Sequence, residues 1–146
     1  MSRRPSYPAL GFALLGLAAS TYLTIEHYTA SAILACPESA TINCAKVTTS
    51  KWSHIGAIPV ALLGLIYFVG LVAICLPWAW RIPALDRWRL LAVGVGAISV
   101  VYLVYIELFQ VDAICLWCTA VHICTIAVLA SVLVHNAVGP GETRTA

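Results

Sequence analysis

Charged side chains are scarce in this chain of 146 residues: Asp, Glu, Lys and Arg together make up 10%. A soluble domain carries about a quarter, so a soluble enzyme, a solvated disordered segment and a nucleic-acid-binding module are all excluded. Neither sign of charge dominates. Eight Lys+Arg against six Asp+Glu leave +2, too little to argue for an anionic partner. The chain has no internal repeat and no low-complexity segment. Nor do its apolar stretches alternate with a period of two, which excludes a transmembrane β-barrel.

What the chain does have is apolar length. Hydrophobic residues make up 62% and the mean hydropathy is +0.95. Four stretches each approach the roughly 20 residues that an α-helix needs to cross about 30 Å of hydrocarbon. They run from about Ala9 to Ile25, Ile58 to Trp80, Leu90 to Leu108 and Ile114 to Val134. The expected fold is therefore an all-α membrane protein, a bundle of four transmembrane helices. Trp78, Trp80 and Trp88 fall near one boundary, and Trp52 and Trp117 near the other, as interfacial aromatics should.

Basic residues orient the bundle. Arg3, Arg4, Arg81, Arg87, Arg89 and Arg144 fall on one side, against Lys46 and Lys51 on the other. By the positive-inside rule both termini are cytoplasmic. The expected organisation is a cytoplasmic N-terminus over residues 1–8, a membrane domain over 9–135 and a frayed cytoplasmic tail over 136–146. Within the domain, residues 28–57 form an outer loop. An alternative reading makes the first stretch a signal peptide cleaved near Ala30-Ser31-Ala32, which would leave the other helices as they are. Loops beyond roughly 15 residues in compact domains are usually functional or disordered. This one carries Ile33, Leu34, Ile42, Val47, Trp52 and Ile55, so it is expected to fold as a cap on the outer surface. A short amphipathic helix is expected over Thr48 to Trp52.

Six cysteines are the second signal. Cys115-Leu116-Trp117-Cys118 is a CxxC pair at the start of the fourth stretch, with Asp112 as the expected N-cap. The i, i+3 spacing puts both sulfurs on one helix face, where the helix N-terminus favours a thiolate. A thiolate attacks a disulfide or an electrophilic ring carbon; the bland reading is two small hydrophobes on a membrane helix. Cys36 and Cys44 form a second pair in the loop, and Pro37 and Asn43 supply turns that can bring their Cα atoms within a disulfide's ~7 Å. A structural staple and a redox pair are equally good readings of it. A zinc site is the rival use of all four, but the gap between Cys36 and Cys44 exceeds the usual spacing of two to four. Both pairs fall on the outer side, so thiol–disulfide exchange could carry two electrons from a soluble donor into the membrane.

Cys75 and Cys124 read as packing residues. His122, four residues past Cys118, lies on the cysteine face one turn deeper. It is a candidate proton donor or hydrogen-bond partner for a ring carbonyl, or equally a helix–helix hydrogen bond. Glu26 and Glu107 are expected to be ordinary carboxylates at outer helix ends, and His135 a solvated residue at the inner boundary.

The run Cys36…Cys44-Ala45-Lys46-Val47-Thr48-Thr49-Ser50-Lys51-Trp52, then Gly56-Ala57-Ile58-Pro59-Val60-Ala61, then Cys115-Leu116-Trp117-Cys118, resembles the vitamin K epoxide reductase (VKOR) family. The resemblance implies a four-helix bundle around a quinone, capped by the outer loop. It implies that Cys36 exchanges with a partner, that Cys44 relays to Cys115, and that Cys118 faces the quinone. Ser50 matches the family's loop serine, which helps to hold the cap, and His122 stands where many animal members have tyrosine. The implied activity is a quinone-dependent thiol oxidoreductase supporting disulfide formation, as in bacterial members. Its acceptor would be menaquinone, ubiquinone or vitamin K, and its donor a separate thioredoxin-fold, DsbA-like protein, since no fused thioredoxin domain follows. A bacterial cytoplasmic membrane is the expected location. The disulfide bond protein B type of oxidase carries its CxxC in the first outer loop, which disfavours it here. A small four-helix transporter or a structural membrane protein with a stapled loop is the competitor from another class.

Overall fold

The computed structural model describes residues 4–29 and 36–138. Of the expected tail over 136–146, residues 136–138 instead continue the last helix; the rest of it, the alternative cleavage site at Ala30-Ser31-Ala32, loop residues Ile33 and Leu34, and the basic Arg3 and Arg144 lie outside the described residues.

Helices dominate: α1 spans Tyr7–Thr29, α2 Cys44–Thr48, α3 Val60–Cys75, α4 Ala84–Ile106 and α5 Leu116–Val138. Three helical segments among the described residues are long and apolar enough to cross a membrane: α1, α5, and α4 continued to Val111. Segments of this length and apolarity make it an integral membrane protein. The other long helix, α3, is equally apolar but has 16 residues, about 24 Å at 1.5 Å per residue. Helix α1 packs on both α3 and α5, and α4 packs on α5. Outward-facing apolar residues such as Ile98, Val101 and Ile123 are exposed, which suits a lipid-facing surface.

Prolines explain why α3 is shorter than the apolar stretch from Ile58 to Trp80. Leu76 precedes Pro77 and takes φ −59°, ψ 147°; a residue before proline is driven out of the helical region. At the other end, Pro59 belongs to a short antiparallel pair, β1 (His54–Ile55) with β2 (Ile58–Pro59). Gly56 turns that pair at φ +64°, a conformation that glycine adopts without penalty. Helix α4 starts at Ala84 rather than Leu90, directly after Pro83, with Asp86 in its first turn, where an acidic side chain complements the helix dipole.

The end of the bundle that holds the start of α1 and the end of α3 has a tight core of Ala9, Ala13, Phe68, Leu71, Cys75, Trp80, Val93, Val128 and Val132. Three expectations are corrected there. Trp80 is not an interfacial aromatic: it is 1% exposed, and its Nε1–H donates to the Cys75 carbonyl at 3.1 Å. Arg89 is not a solvated loop cation. It is buried with its guanidinium 3.7 Å from the Trp80 ring centroid. It donates to the Ile74 carbonyl at 3.0 and 2.8 Å and to the Ala79 carbonyl at 3.3 Å, and it pairs with Asp86 at 2.7 Å. His135 packs its ring 4.3 Å from that of Trp80 instead of standing free in water. Cys75 is buried as expected, and Cys124 packs against the same core.

Candidate functional site

The site is assembled from the loop and the start of α5, at the opposite end of the bundle from Cys75. Cys36 and Cys44 form a disulfide with Cα atoms 6.2 Å apart. Asn43 caps α2, its side chain accepting from the Lys46 backbone amide at 2.9 Å. The short helix of the loop therefore lies over Cys44–Thr48, one turn before the expected Thr48 to Trp52, because the cap residue precedes Cys44. A turn over Lys51–Ser53 follows. Ser50 links the two: its Oγ donates to the Val47 carbonyl at 2.8 Å, and its own carbonyl accepts from the Ser53 amide at 3.0 Å and Oγ at 2.7 Å.

The loop is tied directly to the segment that leads into the CxxC pair. The Asn43 amide donates to the Ile114 carbonyl at 3.0 Å, and the Ile114 amide donates to the Thr41 carbonyl at 2.9 Å. Val47 and Trp52 pack on Ile106, Val111 and Ala113. As a result Cys44 and Cys115, both buried, share one apolar cluster with Leu23, and Cys36 and Cys118 pack against it. The structure brings together all four cysteines singled out in the sequence.

Asp112 does not cap α5. It sits exposed at φ 53°, ψ 45°, the left-handed conformation that Asp and Asn tolerate better than most, and it ends a π turn over Glu107–Val111. The cap is Cys115 itself. It immediately precedes the helix, and its Sγ accepts the Cys118 backbone N–H at 3.3 Å, the N3 amide that an N-cap side chain satisfies. Both thiols are free while the loop pair is oxidised. The Cys115 thiol is held below the ordinary thiol range, chiefly by the hydrogen bond it accepts from the Cys118 thiol and further by the Cys118 and Trp117 amides. Burial and the nearby Glu107 charge act against this without reversing it. Cys115 is thus the pair's better nucleophile.

Beside Cys118 lies a cavity of about 380 Å³, within the usual size of small-molecule sites. Its wall is mostly apolar, with Leu63, Val95, Leu103 and Val121 among the lining residues, and polar groups also reach it, Ser20, Ser50, Glu107, Cys118 and His122 among them. His122 is buried and lines this cavity. A flat apolar ring with carbonyl oxygens fits such a wall, because the apolar surface covers the ring and the hydroxyl and imidazole groups can bond the oxygens.

Glu107 is the correction that matters most here. It is no ordinary carboxylate at a helix end: it is 6% exposed, lines the cavity and accepts the Cys115 backbone N–H. The π turn puts it there, since the extra residue in the turn rotates the chain relative to α4. In the sequence the only sign is a carboxylate at the end of an apolar run a few residues before a CxxC, which does not tell inward from outward.

A helical membrane chain that stacks a loop disulfide on a helix-start dithiol beside an apolar cavity is built as a membrane thiol oxidoreductase. The family model for the vitamin K epoxide reductase family matches residues 7–133, and the chain belongs to that family, whose members are quinone-linked. A search of curated proteins finds no match.

Proposed function

We propose that this protein takes two electrons from a reduced thioredoxin-fold, DsbA-like partner and passes them to a membrane quinone, supporting disulfide formation outside the cytoplasm. The observation that carries this reading is the shared cluster of Cys36, Cys44, Cys115 and Cys118, with Cys118 also on the cavity wall.

The cycle balances at each step. The partner's dithiol gives two electrons and two protons to the Cys36–Cys44 disulfide through a mixed disulfide at Cys36, and leaves oxidised. The Cys44 thiolate then attacks Cys115 Sγ of an oxidised CxxC pair. Cys36 closes back on Cys44, leaving Cys115 and Cys118 as thiols. At this point the loop pair is oxidised and the two electrons are stored in the helix pair. A bound quinone serves as acceptor of two electrons and two protons, becoming hydroquinone. Cys118 presents its sulfur to the cavity, and closing the Cys115–Cys118 disulfide breaks the two S–H bonds and releases the two electrons and two protons that the acceptor takes up. Ser50 keeps the end of α2 folded, which holds the cap over the cavity. His122 bonds a ring oxygen.

Four membrane crossings, with α3 as the short one, are part of this reading, as are cytoplasmic termini, outward cysteines and a bacterial cytoplasmic membrane. Menaquinone, ubiquinone and vitamin K all supply the required ring. The test is quinone reduction by the purified protein with a dithiol donor, comparing wild type with Cys118→Ala. Turnover is expected to fall by about a thousandfold or more, as when a catalytic nucleophile is removed; unchanged turnover would eliminate the mechanism.

A further inference from the structure

Hydroxyl groups on membrane helices normally settle their hydrogen bond within the helix, donating to the carbonyl four residues earlier. Thr21, Thr24, Ser99, Thr125 and Ser131 all do so here, at 2.7 to 2.9 Å. Two of them, Ser99 and Thr125, line the same cavity as Ser20, so facing the cavity does not by itself prevent the bond.

Ser20 departs from this pattern. It is 2% exposed, and its Oγ is the one buried side-chain nitrogen or oxygen among the described residues that lacks a hydrogen-bond partner. The hydroxyl faces Gly64 on α3, where an added Cβ would come within 3.6 Å of Oγ. Both residues belong to the cavity wall, and the glycine leaves open the space that a side chain would take. Leaving a buried hydroxyl unpaired costs roughly 1–3 kcal/mol, so a partner is expected from the cavity.

We propose that Ser20 Oγ holds a carbonyl oxygen of the quinone in this cavity. The proposal rests on the reading of the cavity as the quinone site and deepens it. A serine hydroxyl suits both redox states without a change of charge, since it donates to a quinone carbonyl and accepts from a hydroquinone O–H. Ser20 makes no bond to the reacting sulfurs. It is a positioning residue, and its effect belongs in binding and not in the chemical step.

The test compares full-length wild type with Ser20→Ala in its oxidised form, so that binding is read without turnover. Menadione is the probe, and methylnaphthalene, with the same rings and no carbonyls, is the control. Quenching of tryptophan fluorescence gives the Kd, and Trp52 on the cavity wall is one reporter. Ser20→Ala is expected to weaken menadione binding about fivefold to tenfold, the loss of one net hydrogen bond. Methylnaphthalene binding should stay within about twofold of wild type by the same reasoning. In turnover, KM should rise while kcat holds. The ligand-free variant should melt no lower than wild type, since it loses an unpaired polar group and no contact. A menadione Kd unchanged by the substitution overturns the proposal, as does equal weakening of both ligands. Wild type that binds no quinone at all would sink the proposed function itself, a different result from wild type and variant binding alike.

Discussion

Cys75 and Cys115 are buried to the same degree, 1% and 0% exposed, yet they stand in opposite parts of the molecule and in opposite chemistry. Cys75 is the last residue of α3, at a helix C-terminus, where the dipole disfavours a thiolate. Its neighbours are Phe68, Leu71, Trp80 and Val93 and the Arg89 guanidinium, which reaches the Cys75 sulfur as well as the Ile74 and Ala79 carbonyls and Asp86. Cys115 stands at a helix N-terminus, where backbone amides and a second thiol turn toward its sulfur. Burial alone therefore says nothing about reactivity. What distinguishes the Cys115 end is a dithiol placed beside a large apolar cavity, whereas around Cys75 the core is packed and its buried polar groups are paired.

That contrast makes the largest expected effect a difference between two identical substitutions. Cys115→Ala should reduce dithiol-driven quinone reduction by about a thousandfold or more, because no thiol remains to close the disulfide on Cys118. Cys75→Ala should leave turnover within about twofold and lower stability by about 1–2 kcal/mol, the loss of a buried sulfur's contacts. Parallel turnover and melting measurements on the two variants check this. Equal loss of turnover in both would end the division between a reactive and a packing thiol.

The Cys75 end should fail differently. Arg89→Met keeps most of the stem against Trp80 but leaves Asp86 and the Ile74 and Ala79 carbonyls without the guanidinium. Breaking a buried pair in this way costs about 3 kcal/mol. Denaturant or thermal unfolding in detergent should show that loss. Menadione affinity at a temperature where the variant is still folded should stay near wild type. A variant with full stability and weakened quinone binding would mean that the two ends are coupled.

The parts that could be read from sequence are those fixed by local pattern. Apolar length gives the long helices, CxxC spacing puts two sulfurs on one face, and the turn residues Pro37 and Asn43 allow the loop cysteines to meet. What stayed hidden depends on contacts between elements distant in the chain. Trp80 and Arg89 look like a boundary aromatic and a cytoplasmic cation, and only the closing of α3 against α4 buries them together. Asp112 looks like a helix cap, but whether a residue caps or turns the chain depends on the backbone before it, here a π turn that sequence periodicity does not mark. Ser20 is one of several hydroxyls in an apolar run, and its missing bond is visible only once the glycine opposite is known.

Glu107 gives the smallest of the expected effects and the one that bears most directly on why Cys115 is reactive. Its charge opposes ionisation of Cys115, while the Cys118 thiol and the backbone amides favour it. A negative neighbour raises a thiol's titration midpoint, so Glu107→Gln, which removes the charge and keeps the shape, should move the Cys115 midpoint further down. The thiolate would then persist to lower pH, and the pH at which disulfide closure reaches its plateau should fall with it. Ultraviolet absorbance of the thiolate against pH, in a background with Cys75 and Cys124 replaced by Ala, reads the shift without any quinone present. The carboxylate also accepts the Cys115 amide, a bond that Gln can still accept through its carbonyl oxygen, so the start of α5 should keep its geometry. An unmoved midpoint would show that Glu107 lies too far from the sulfur, or is already neutral. The lowered titration of Cys115 would then rest on the Cys118 thiol and the amides alone.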